Sequence, residues 1–321
     1  MNPNISDILL APWTNGVLIT AIRLNVFTVL ENQELTANEI ASECRSVPER
    51  LKPLLDACIS LGFLEINIKK YKNPHFSSVY LVEGKQLYIG NFLKLLNFES
   101  LQWFQLPDII RGEEKKSIEL PTLKADRKTF ISAMNCIGHL GEANALKEHV
   151  DLSGFRKMTD AGGGSGLYSL ALCQKYPELH STILDVKETL AVTKEFIAYS
   201  PDRDRILLKE GNFFNDPLGS NLDVVLLSDV IYGDSEAKAI LRNAWNSLSD
   251  NGVLIVRGYY SAPNQSGPPF GALFAVKLLL DDPQRKNMSI SDLEKNVMEA
   301  GFDIDKIDPL TEHSYVLIGQ K

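Results

Sequence analysis

One stretch limits the fold more than any other: Lys157-Met-Thr-Asp-Ala-Gly-Gly-Gly-Ser-Gly-Leu167. It reads as a short strand entering a glycine-rich turn that opens a helix, predicted over 167–176. Gly162, Gly164 and Gly166 alternate with other residues, and Asp160 stands two positions ahead of the first. A turn this tight needs residues that adopt positive φ and carry no Cβ to obstruct a ligand. The free N–H groups of the helix's first turn then point into it, which suits anionic or polar ligand groups. A pyrophosphate-binding G-x-G-x-x-G run started at Gly162 would end on a glycine at 167, where this chain has Leu167.

Two later stretches fit the same scheme. His180-Ser-Thr-Ile-Leu-Asp185 is an apolar run ending in an acid, the pattern of a second parallel strand. A carboxylate at that strand end can accept both hydroxyls of a ribose, or it can cap the helix that begins near Lys187. Ile206-Leu-Leu-Lys-Glu-Gly-Asn-Phe-Phe214 has the shape of a third strand and its turn. Together the three stretches resemble the motifs of class I S-adenosylmethionine-dependent methyltransferases. The resemblance implies that Asp160, Gly162, Gly164 and Gly166 underlie the amino-acid part of the cofactor. It also implies that Asp185, with Val186 beside it, holds the ribose, and that Asn212 and Phe213 meet the adenine. Asn212 stands where the family usually has Asp; an amide oxygen can still accept from the adenine amino group.

The chain's 321 residues suit two domains. Its net charge of -8 argues against nucleic acid or an anionic membrane as the main partner. Cys44, Cys58, Cys136 and Cys173 are scattered without metal-ligand spacing, as in a reduced cytoplasmic protein, and the five His are isolated, so no metal site is expected. No signal peptide is read at the start, and the apolar run 270–280 is too short to span a bilayer.

Residues 5–31 carry two helical patterns, the second, 17–30, apolar on most faces. A small domain has little core to cover such a helix, so a second copy of the chain is expected to. Thr36 and Glu39 form a capping box, Pro48 starts a helix that ends at Gly62, and strands are predicted over 63–68 and 77–82. Helix, helix and two-stranded wing make a winged-helix pattern, which raises a DNA-binding regulator as an alternative. The second helix, with Glu49, Arg50, Lys52 and Asp56, has no basic stripe to read a groove. Long helix, winged helix and methyltransferase core in this order resemble the plant-type and bacterial small-molecule O-methyltransferases, whose first domain forms homodimers. The expected division is 1–110 for the winged-helix dimerisation domain, 111–150 for a linker (charged over 111–116) and a long helix from Asp126 towards Val150, and 151–321 for a Rossmann-like α/β cofactor-binding domain. The resemblance carries Phe130, Met134 and Asn135 on that helix over as side chains near methyl donor and acceptor.

The family's O-methylating members use a His as general base, braced by two Glu, because a hydroxyl acceptor must become an oxyanion. Aligned motif by motif, this chain has Tyr232 in place of the His, Gly258 and Ile290 in place of the Glu residues, and Ser228 at a cofactor-binding position where Lys is common. The expected enzyme therefore methylates a small molecule that is already nucleophilic at C, N or S, or uses an atypical base; Tyr232, His139 and Asp234 (followed by Glu236) are the candidates. The alternative is an enzyme of the same fold that binds the cofactor without methyl transfer, performing decarboxylation, hydroxylation-type or pericyclic chemistry. Tyr259, Phe270 and Phe274 are expected to line a pocket for a flat acceptor. Arg257 is expected to meet an acceptor carboxylate or an acid at the surface.

Overall fold

The computed structural model describes residues 4–113, 126–262, 269–283 and 288–321. The chain divides into two compact units, Met1–Glu99 and Ser100–Lys321. The expected domain boundary near 110 thus lies inside the second unit, and the expected charged connection over 111–116 falls partly outside the described residues.

The first unit opens with one continuous helix, α1 (Ile5–Arg23), where two patterns were expected; Pro12 sits inside it. A short α2 (Val26–Val29) follows, then β1 (Leu35–Thr36), α3 (Ala37–Glu43) and α4 (Pro48–Ser60). The Thr36–Glu39 capping box is present. The wing differs from expectation. Its hairpin is β2 (Glu65–Asn67) and β3 (Lys70–Lys72), joined at Ile68 and Lys69, both at positive φ, and β1 adds as a third strand. A two-residue turn of this hand brings the partner strand back at once, so 77–82 is not needed as a strand. Pro74 instead leads into α5 (His75–Tyr80), whose Ser77 donates to the Phe63 carbonyl. Then comes α6 (Gly90–Glu99). Ile22, Phe27, Leu30, Ile40, Leu55, Leu64 and Leu81 make the core.

The second unit begins with a 3-10 turn (Ser100–Gln105) and α7 (Leu106–Ile110). The long helix expected over 126–150 is interrupted. It runs as α8 (Arg127–Ile137), a π turn (Gly138–Glu142) and α9 (Ala143–His149), with Gly141 at φ 127°. No side chain adopts that conformation cheaply, and π turns are a common way to re-aim a helix face at a functional site.

The rest alternates: β4 (Lys157–Ala161), α10 (Leu167–Lys175), β5 (His180–Asp185), α11 (Lys187–Ile197), β6 (Ile206–Glu210), β7 (Leu222–Ser228), α12 (Asp234–Ser247), β8 (Leu248–Gly258), α13 (Pro269–Asp281), α14 (Ile290–Glu299), β9 (Asp303–Pro309) and β10 (Tyr315–Gln320). The sheet order is β6-β5-β4-β7-β8-β10-β9, with only β10 antiparallel to its neighbours. β8 pairs Leu248 with Leu222, and its register with β7 shifts before Val253. Strands covered on both faces should be apolar throughout. Val225, Leu227, Leu254 and Val256 pack with α12 and α14 on one face, and Val224, Leu226 and Ile255 with α9, α10 and α11 on the other.

Candidate functional site

The sheet order reverses between β4 and β7: β5 and β6 build outward on one side, β8 on the other. In open α/β sheets ligands bind at such a switch point, beyond the carboxyl ends of the strands. Here β4 ends in the glycine turn and β7 ends at Ser228.

Gly162, Gly164 and Gly166 all adopt positive φ. A Cβ at Gly162 would lie 2.6 Å from Val230 Cγ1 and 3.0 Å from Phe213 Cε1, so only glycine lets the two neighbouring loops close against the turn. At Gly164 a Cβ would find nothing nearer than Ile131 Cδ1 at 3.8 Å. The turn's outer face is therefore uncovered on this side, with Ile131 of α8 above it.

Asp160 lies fully buried under the turn. Its Oδ2 accepts from Ser169 Oγ at 2.7 Å, while Oδ1 has no partner. Burial pushes its carboxyl up to about 7 against the Ser169 hydrogen bond, and the Asp185 charge adds to the rise. Asp185 ends β5 and does not cap α11, whose N-terminal cap is Val186 with no side-chain bond. Its Oδ1 accepts from the Val186 N–H at 2.8 Å and its Oδ2 from the Gly164 N–H at 3.1 Å. The backbone thus aims the carboxylate at the turn, and each oxygen keeps a lone pair for a ligand hydroxyl. Asn212 is exposed and its Oδ1 accepts from the Phe214 N–H at 3.0 Å, a local turn bond, whereas Phe213 reaches Gly162. Ser228 is buried at the end of β7. An open glycine turn beside an oriented carboxylate and a flanking aromatic ring fits an adenosine-bearing cofactor.

On α8, Phe130 and Met134 share one stripe, while Ile131 and Asn135 share the next, four residues apart. Gly138 continues that second stripe: a Cβ there would strike Leu167 Cδ2 at 2.5 Å, so α8 and its π turn pack on the start of α10. Ile131, not singled out in the sequence, is the buried residue over the turn.

Arg257 pairs with acids, as one of its two expected roles has it, but from the interior and not the surface. It is buried, with 1% of its surface exposed, and donates to Glu142 Oε2 from Nε at 3.1 Å and from Nη2 at 2.6 Å. Its Nη1 donates to Asp229 Oδ2. The guanidinium lies 4.3 Å from the Tyr259 ring centre and 5.6 Å from that of Tyr168. Glu142 is pulled below its ordinary pKa: burial raises it, but the Arg257 charge and hydrogen bonds from Ser314 and Thr311 outweigh that. A charged residue directly after the apolar run Leu254–Val256, still within β8, is itself a signal that acids must lie nearby.

The Tyr259 ring lies tilted at 4.6 Å from Phe270 and edge-on at 5.8 Å from Phe274, and Tyr232 meets Phe274 edge-on at 5.5 Å. His313 adds to the group at 5.5 Å from Phe270. The three expected acceptor residues thus form one aromatic cluster that includes Tyr232. His139 lies in the π turn, where burial lowers its pKa. Asp234 is elsewhere: it is 66% exposed, accepts from Asn296 Nδ2 at 2.9 Å and pairs with Lys238 at 3.0 Å, fastening α12 to α14. Gly258 leaves no side chain, and Ile290 is in the core.

Models described as an O-methyltransferase domain and an O-methyltransferase dimerisation domain match residues 121–303 and 7–83. The chain is 33% identical over 307 residues to L-tyrosine C(3)-methyltransferase of Streptomyces lavendulae, covering 89% of this chain and 82% of that one. It is 28% identical over 288 residues to 3-hydroxy-5-methyl-1-naphthoate 3-O-methyltransferase of Streptomyces sahachiroi, covering 86% and 82% respectively. Human N-acetylserotonin methyltransferase, solved in complex with S-adenosylmethionine, shares the fold with a TM-score of 0.86 at 23% identity, over 99% of this chain and 96% of that one.

Proposed function

The chain belongs to the O-methyltransferase family, and on that premise we propose that it moves the methyl group of S-adenosylmethionine onto a small aromatic acceptor without a His base. The observation that carries this is the state of the three base positions: Tyr232 against Phe274, Gly258 with no side chain, and Ile290 in the core. The cofactor supplies an electrophilic methyl on a cationic sulfur. Asp185 and the glycine turn hold its nucleoside and amino-acid parts, with Phe213 against the adenine. Tyr259, Phe270 and Phe274 receive a flat acceptor beside them. An acceptor atom that is already nucleophilic needs chiefly alignment and exclusion of water. The tyrosine ring-methylating relative makes an electron-rich ring carbon the first acceptor atom to test, ahead of nitrogen and sulfur.

The protein works as a homodimer through its first unit. Support comes from α1, where Ile5, Ile8, Leu9 and Trp13 are exposed, Trp13 to 75%. By length and composition alone α1 could cross a membrane. Its second half, however, is anchored in the first unit's core by Ile19, Ala21 and Ile22, and a dimerisation-domain model matches this region.

Methyl-labelled S-adenosylmethionine is incubated with the protein and a metabolite extract, and products are read by mass spectrometry. A labelled product absent with Asp185→Ala identifies the acceptor atom. Cofactor binding without any labelled product would instead favour decarboxylation, hydroxylation-type or pericyclic chemistry. With an acceptor in hand, Tyr232→Phe and His139→Ala should each leave turnover within about three-fold; a loss of about 10²-fold or more in either would make that residue the base.

A further inference from the structure

We propose that Asp229 is the carboxylate that recognises the positive charge of the sulfonium cofactor, with Arg257 and Glu142 holding it in place. The inference rests on the protein being a user of S-adenosylmethionine.

Position comes first. Asp160 of β4 pairs with Leu226 of β7. Three residues further along the two strands stand Gly163 and Asp229, across the switch point from each other. The contact between Val230 and Gly162 shows that the two loops touch. Val230 closes against Gly162, and Asp229 beside it reaches Arg257. Asp229 adopts φ 56°, a left-handed conformation uncommon outside glycine that Asp tolerates better than most residues. Its N–H donates to the Arg257 carbonyl at 2.9 Å, so backbone and side chain are both fastened to Arg257.

Charge completes the case. Arg257 carries one positive charge and faces two carboxylates, which leaves the group one negative charge in excess. Glu142 is fully engaged. Its Oε2 takes Arg257 Nε and Nη2 and Ser314 Oγ at 2.6 Å, and its Oε1 takes Thr311 Oγ1 at 2.6 Å. Asp229 gives one oxygen to Arg257; the other, Oδ1, is shut from solvent and has no hydrogen-bond partner. No second cation pairs with it among the described residues. A half-buried carboxylate with one oxygen shut from solvent and unpartnered is costly unless something positive joins it. The ligand that this fold carries at the switch point brings one such charge, on its sulfur. The demethylated product, S-adenosylhomocysteine, has the same shape without it. Asp229 would then favour the charged cofactor over the spent one.

Titration calorimetry on the full chain, with S-adenosylmethionine and with S-adenosylhomocysteine, tests this without any acceptor. Asp229→Asn keeps the size and the contact with Arg257 but removes the charge. It should weaken S-adenosylmethionine at least about ten-fold while S-adenosylhomocysteine changes by less than about three-fold. Asp229→Glu should recover part of the preference, and Asp229→Ser serves if the Asn variant does not fold. Equal weakening of both ligands, or no change in either, would overturn the proposal. A wild-type protein that bound neither ligand would instead sink the cofactor assignment beneath it.

Discussion

Asp160 sits where the glycine turn needs a polar support, yet burial and one unpartnered oxygen make its ionised form expensive. Its pKa in the fold is about 7 against an ordinary 3.8. A carboxyl raised on folding stabilises the protein fully below its unfolded pKa, and that contribution is lost as pH rises through the folded value. The ligand-free protein should therefore lose thermal stability between about pH 4 and pH 7, with Asp160→Asn flattening the profile; thermal melts across that range decide it. The position of Asp160 was legible from the spacing of the glycines. Its titration was not, because that depends on how tightly Gly163 and Ser169 close over it. Arg257 shows the same division. A charge amid Leu254-Ile-Val is visible in the sequence, but its partners lie 115 and 28 residues away in the chain, and no local pattern links them.

Among the elements, the interrupted helix between α8 and α9 matters most. Apolar spacing over 126–150 predicts helix correctly but says nothing of the π turn. That turn arises because Gly141 permits φ 127° and because Glu142 finds a guanidinium across the sheet. Glu142→Ala should leave Arg257 buried with only Asp229 and destabilise the protein by about 3–5 kcal/mol. Urea unfolding measures the loss, and a change under about 1 kcal/mol would show that water replaces the pair. The wing is hard to read for a related reason: Ile68 and Lys69 lack the Gly or Asn that usually marks a hairpin turn, so the pattern extends the first strand too far and places the second at 77–82 instead of 70–72. The Thr36 helix cap, being local chemistry, is legible in the sequence.

At the scale of the molecule, the alternation of strands and helices after 157 was enough to give the doubly wound sheet and its switch point, since short right-handed connections leave few other orders. The dimer was legible only as surplus apolar surface. In α1 the surplus lies on the first half, around Trp13, and not on 17–30 as the pattern suggested, because Ile19, Ala21 and Ile22 are absorbed by the first unit's core. Leu9→Asp combined with Trp13→Asp should convert a dimer to monomers in sedimentation velocity while leaving the unfolding midpoint nearly unchanged; a dimer surviving both changes would place the interface elsewhere. The trio of Glu142, Asp229 and Arg257 has a consequence for descent. Losing Arg257 alone would set two carboxylates together with no cation between them, so the arginine should not disappear across relatives while both acids remain. Either acid can change while the other keeps the guanidinium paired, so descent is constrained at Arg257 more than at its partners.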